Sequence, residues 1–168
     1  MRRPVVLACL VVALAVPAAR AEKEIALHAG AWDFNQIDRA GAVEVGAELR
    51  LLGVELAKWA WGSVTPAFGA LATADGVLYG YGGFRVHAVR GRWRFSLHSA
   101  AGLYEAGDGT ELGGPVEFMS GVGVSARVSP RVRIGLDVSH LSNADLYDEN
   151  PGVNTAVVVV SWGLAERP

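Results

Sequence analysis

Apolar side chains recur at every second position along most of this chain. The pattern is clearest where Val43, Val45, Ala47 and Leu49 alternate with Glu44, Gly46, Glu48 and Arg50. A period of two marks a β-strand with one apolar and one polar face. The same alternation sets Trp93, Phe95 and Leu97 against Arg94, Ser96 and His98. It also sets Val132, Ile134, Leu136 and Val138 against Arg131, Arg133, Gly135, Asp137 and Ser139. Turn-forming stretches separate these runs, among them 35–41, Ala74-Asp75-Gly76, Arg90-Gly91-Arg92, a Gly-rich loop over 105–114 and Ser129-Pro130. The punctuation predicts strands over about 24–34, 43–50, 59–73, 77–89, 93–104, 116–125, 132–142 and 154–162. Pro66 is expected to break the register of the third.

The faces of these strands decide what kind of sheet they build. In a soluble barrel of the lipocalin type the apolar face would point inward, leaving Glu44, Glu48, Arg50, Arg131 and Arg133 outside. In a membrane barrel the apolar face meets lipid and the polar face fills the lumen. Exposed charges would be unremarkable in the first case and would have to pair across the lumen in the second. Half the residues are hydrophobic, glycine is abundant, and past the N-terminus no long apolar run exists. The expected fold is therefore all-β, an eight-stranded antiparallel transmembrane β-barrel over residues 22–168. Trp32, Trp59, Trp61, Trp93 and Trp162 fall near predicted strand ends, where interfacial aromatic girdles form. Luminal Glu117 and Asp137 are expected to pair with Arg127, Arg131 or Arg133, and His98 to hydrogen-bond in the lumen. His28 and His87 read as wall or strand-end residues.

The first 21 residues read differently. Arg2 and Arg3, an apolar stretch from Val5 to Val16, and Ala19-Arg20-Ala21 form a secretory signal peptide with cleavage expected after Ala21. The one cysteine, Cys9, lies inside that segment, so the exported chain would carry no disulfide. Export, alternation and barrel length together predict an integral protein of a Gram-negative outer membrane. The net charge of −2, without a basic run, argues against a nucleic-acid partner. No cluster of metal-ligand type stands out, and no cofactor is expected.

His140 and Ser142 continue the even, apolar face of the strand that begins at Val132. Residues two apart on a strand lie on one side of it, about 6–7 Å apart. An imidazole so placed can take a hydroxyl proton and make serine a nucleophile. On a membrane barrel this pair looks at lipid, a sensible place for a hydrolase only if the substrate is a lipid.

The tract His140-Leu141-Ser142-Asn143-Ala144, followed by Asn150-Pro151-Gly152-Val153-Asn154, resembles the PagL family of outer-membrane lipid A 3-O-deacylases. The likeness is strongest from Leu112-Gly113-Gly114-Pro115-Val116-Glu117-Phe118 to Trp162. It implies Ser142 as nucleophile, His140 as general base, and an ester of lipid A in lipopolysaccharide as substrate. It implies an oxyanion role for the Asn143 N–H, and matches Asn150 and Gly152 to a turn close to the site. Where the founding enzymes place a Glu to orient the base, this chain has Asn154; Asp145, Asp148 and Glu149 are loop acids that could substitute. The rival readings are a lipid-binding barrel without turnover, and an esterase or phospholipase acting on another lipid. A homodimer is an open option.

Overall fold

The computed structural model describes residues 23–35 and 41–164, and all of the regular structure in them is β. The strands are β1 (Glu24–Trp32), β2 (Ala42–Arg50), β3 (Ala57–Trp59), β4 (Gly62–Thr73), β5 (Leu78–Arg90), β6 (Trp93–Glu105), β7 (Val116–Arg127), β8 (Val132–Ser142) and β9 (Val153–Gly163). Neighbours pair antiparallel in chain order from β4 to β9. β9 then pairs with β1, β1 with β2, and β2 with β4, which closes the cylinder. β3 is a three-residue appendage to β4, so the wall itself has eight strands. Apart from β3 the strands run nine to thirteen residues, the length a tilted strand needs to cross a bilayer. The expected signal segment, residues 1–21, lies outside the described residues.

The apolar parity points outward. Val43 is 61% exposed, Leu97 58% and Leu136 59%, whereas their charged neighbours Glu44, Glu48 and Asp137 are buried. A soluble barrel would show the reverse, so the wall is built to face lipid. Inside, the lumen has two tiers. Toward the chain ends, Arg50 donates to Glu24 at 2.8 Å and to Glu48 at 2.6 Å. Arg85 bridges Glu48 at 2.6 Å to Asp137 at 3.1 Å, and Arg94 donates to Glu24 at 2.9 Å. Three guanidiniums thus meet three carboxylates in a closed space, where an unpaired charge would be costly. Toward the long loops the filling turns aromatic and aliphatic, with Trp32, Tyr79, Tyr81, Tyr104, Leu112 and Leu141 in one buried cluster. Luminal glycines make room for large neighbours: a Cβ on Gly46 would sit 2.4 Å from the His28 ring, and one on Gly121 2.5 Å from His98.

Five expectations change. The predicted third strand is two, β3 and β4, divided by a turn at Ala60-Trp61. Pro66 does not break the register, because pairing with β5 runs unbroken through Pro66↔Phe84 and the carbonyl of Pro66 still accepts from the Leu51 N–H at 3.0 Å. Trp32 belongs to the luminal cluster and stacks on Tyr104, with ring centroids 6.4 Å apart, so it is no girdle residue. Asp137 pairs with Arg85 and lies 3.6 Å from His98 Nε2, while the buried Glu117 carboxylate has no hydrogen-bond partner among the described residues. His28 and His87 also turn inward, His28 lying 3.0 Å from Glu44. His98 is the luminal hydrogen-bonding residue expected.

Candidate active site on the outer wall

The last hairpin, β8–β9, carries the candidate chemistry. Its register sets His140 opposite Asn154 as Cα partners, both on the outward parity. Their side chains meet: His140 Nδ1 lies 3.0 Å from Asn154 Oδ1. An amide oxygen only accepts, so Nδ1 carries the proton and the Nε2 lone pair is left bare. Ser142 follows on the same face at the strand's end, half-buried, with Phe118 of β7 beside it in register. Its hydroxyl makes no hydrogen bond to the imidazole in this state; such contacts often tighten only with substrate bound.

The loop between the two strands is tied down by its own polar groups. The Asn143 N–H donates to Asn150 Oδ1 at 3.1 Å, and Asn150 Nδ2 donates to Asp145 Oδ1 at 2.9 Å. Asn143 is fully buried, and its Nδ2 donates to the carbonyls of Leu112 at 2.5 Å and Glu149 at 2.6 Å. Without substrate the Asn143 N–H is thus bonded within the loop, and the side chain pins the β8–β9 loop to the β6–β7 loop. Leu146 N–H reaches back to the Asn143 carbonyl at 3.1 Å across Ala144 and Asp145, which have φ of 54° and 61°. Two successive non-glycine residues in the left-handed region, beginning two positions after the candidate nucleophile, store backbone strain beside the site.

Gly152 has φ of 63°, and a Cβ there would sit 2.7 Å from His140 Cε1. Glycine thus lets the returning chain pass flat against the imidazole. Asp148 and Glu149 are exposed and Asp145 is engaged by Asn150, so Asn154, and none of these acids, touches the base. Sequence reasoning missed Tyr147, whose hydroxyl accepts from the Val116 N–H at 3.3 Å and whose ring lies where a Cβ on Gly114 would be. The signal was the Gly113-Gly114 pair, which leaves room for that ring. No group of metal-ligand type occurs among the described residues. Two small voids lie in the charged lumen, and neither is lined by His140 or Ser142. The site is a patch of wall, open sideways to whatever surrounds the barrel.

Comparison with known proteins agrees with this architecture. A family model described as "Lipid A 3-O-deacylase (PagL)" matches residues 41–163. Among solved structures, the crystal structure of the outer membrane enzyme PagL superposes with a TM-score of 0.63 at 16% identity, covering 83% of this chain and 98% of that one. Neisserial surface protein A gives 0.53 at 11%, covering 84% and 95%. A designed transmembrane β-barrel gives 0.59 at 12%, covering 86% and 96%. No sequence among the curated proteins matches. At these identities the superpositions speak for the fold, and the family model for the family.

Proposed function

The chain belongs to the PagL family of lipid A 3-O-deacylases, and we propose that it performs that hydrolysis as a serine esterase built on His140, Ser142 and Asn154. The observation that carries the reading is the 3.0 Å contact between His140 Nδ1 and Asn154 Oδ1, which holds the imidazole in the tautomer a general base needs. In the first half-reaction Nε2 takes the Ser142 proton as Oγ attacks the carbonyl of the 3-O-linked acyl chain. The tetrahedral intermediate collapses, the sugar 3-oxygen leaves with the proton held on Nε2, and the acyl group stays on Ser142. In the second, His140 Nε2 takes a proton from water as its oxygen attacks the acyl-serine, the Ser142 Oγ leaves and regains that proton from Nε2, and a free 3-hydroxy fatty acid is released. Placement on the lipid-facing wall suits a substrate that stays in the membrane while its ester is cut. Asn154 orients the base but supplies no negative charge to the imidazolium, so a lower rate is expected than with a carboxylate there.

The test is mass spectrometry of lipid A from Gram-negative cells expressing the wild-type chain or Ser142→Ala. Loss of one 3-hydroxyacyl unit with the wild type alone supports the reading. Unchanged lipid A with both, while the barrel is folded in the membrane, overturns it and favours a barrel without turnover or another lipid ester. Detergent assays with phospholipids separate those two.

A further inference from the structure

Charge is segregated along the barrel axis. Every Lys and Arg among the described residues lies in the half that carries the chain ends. At the rim of that end stand Lys23, Lys58, Arg90, Arg92 and Arg127, all exposed, with Arg131 nearby; Arg127 and Arg131 share the inward parity of Arg133 and reach the rim from the strand ends. Among the described residues the exposed carboxylate at that rim is Glu55, 3.0 Å from Lys58. Among the described residues, the exposed charges at the opposite end are Glu105, Asp108, Glu111, Asp145, Asp148 and Glu149.

The exposed tryptophans keep to one end as well. Trp61 is 63% exposed, Trp93 43% and Trp162 37%, and all lie level with the cations. Trp59 packs edge-on against Trp61 with centroids 5.4 Å apart, and the Arg92 guanidinium lies 5.1 Å over the Trp93 ring. Indoles settle at the boundary between acyl chains and headgroups, and cations just beyond them meet phosphates. A water-facing surface would have no use for an indole belt, and a protein partner would be expected to find carboxylates among the arginines.

We propose that this end of the barrel is a binding surface for anionic phospholipid headgroups. The Arg90–Trp93 and Arg127–Val132 hairpins supply the phosphate contacts, and Trp61, Trp93 and Trp162 set the depth. The acidic loop end has no such surface among its described residues. The two rims therefore suit leaflets of different chemistry, and charge fixes which way up the barrel sits.

The experiment is lipid selectivity of the full chain reconstituted in phosphatidylcholine bilayers. Spin-labelled phosphatidylglycerol and phosphatidylcholine are compared by the fraction of label immobilised at the protein. A several-fold preference for the anionic lipid, falling as salt is raised, is expected of the wild type. The triple variant Arg90→Gln, Arg92→Gln, Arg127→Gln should bring that ratio close to one, and the matching triple Lys variant should retain it. Equal partitioning in the wild type, or selectivity surviving in the Gln variant, overturns the proposal. So does loss of selectivity on adding millimolar pyrophosphate at constant ionic strength, which would make the ligand a soluble anion. Each variant is used only after its unboiled band migrates as a folded barrel.

Discussion

Two histidines in this barrel each stand beside a serine, and only one of them is placed to do chemistry. Inside, His98 Nε2 lies 3.1 Å from Ser139 Oγ, and Ser139 lies 3.2 Å from Asp137 Oδ1. On paper this is the better constellation, complete with a carboxylate. Its hydrogen bonds run the wrong way, however. Arg85 donates to His98 Nδ1 at 3.2 Å, so Nε2 must carry the proton and donate to Ser139, whose own proton goes to Asp137. The imidazole has no lone pair left for the serine, and all three groups are sealed in the lumen. Outside, the weaker partner Asn154 accepts from Nδ1 and leaves Nε2 bare on a face open to lipid. Tautomer and access, set by which way a strand residue points, separate a structural triad from a candidate catalytic one.

The contrast can be broken most sharply at the two serines. Ser142→Ala should abolish deacylation, a loss of about 10⁴-fold or more if the group works as a unit as in serine proteases. Ser139→Ala should leave the rate per folded barrel within about twofold and cost only about 1 kcal/mol of stability. The carboxylate inside comes next. Asp137→Ala leaves Arg85 with Glu48 as its one carboxylate partner and three guanidiniums facing two carboxylates, and should destabilise the barrel by about 3–5 kcal/mol, seen as a lower temperature for loss of the compact electrophoretic band. Deacylation by the remaining folded protein should persist, and if it vanishes the inner cluster is more than structural. At the outer site, Asn154→Ala should cost about 10²-fold in rate by freeing the base to rotate, and Asn154→Glu should raise the rate about tenfold. A fall with Glu would mean the site is tuned to a neutral partner. A smaller effect at the outer site is expected at Gly152. Alanine there meets the His140 ring at a φ of 63°, costing about 1–2 kcal/mol, with kcat reduced more than KM raised.

Parity of the strands was readable from residue types alone, because lipid on one side and a sealed lumen on the other impose opposite demands on alternate positions. That is why Val43, Leu97 and Leu136 face outward as expected, and why His140, Ser142 and Asn154 could be placed on one face. Parity could also have corrected the Trp32 assignment, since it shares its phase with Glu24, Ala26 and His28, opposite Ile25 and Leu27. The girdle reading used nearness to a strand end and ignored the period. Which luminal charges meet was not readable, because Glu48 and Arg85 are 37 residues apart and find each other only when the cylinder closes. The same holds for Asn143, whose partner Leu112 lies in a different loop. Pro66 misled because the rule against proline in strands concerns a lost N–H; its neighbours on both sides still pair with β5.

β1 meets β9 from Glu24↔Gly163 to Trp32↔Thr155, and Leu164 N–H caps the join on the Lys23 carbonyl at 2.7 Å. The two edges of the sheet are therefore the first strand and the last, a contact of near-maximal sequence separation, and such pairings form slowly. The hairpin bearing His140 and Asn154 is one lip of that join. Until it closes, β9 is an unpaired edge in search of a mate, prone to pair with the wrong one. Assembly of the proposed site is thereby expected to coincide with completion of the cylinder. A substitution far from Ser142 that delays it, such as one on β1, will score as a loss of enzyme in a cell while leaving every assembled molecule as active as before.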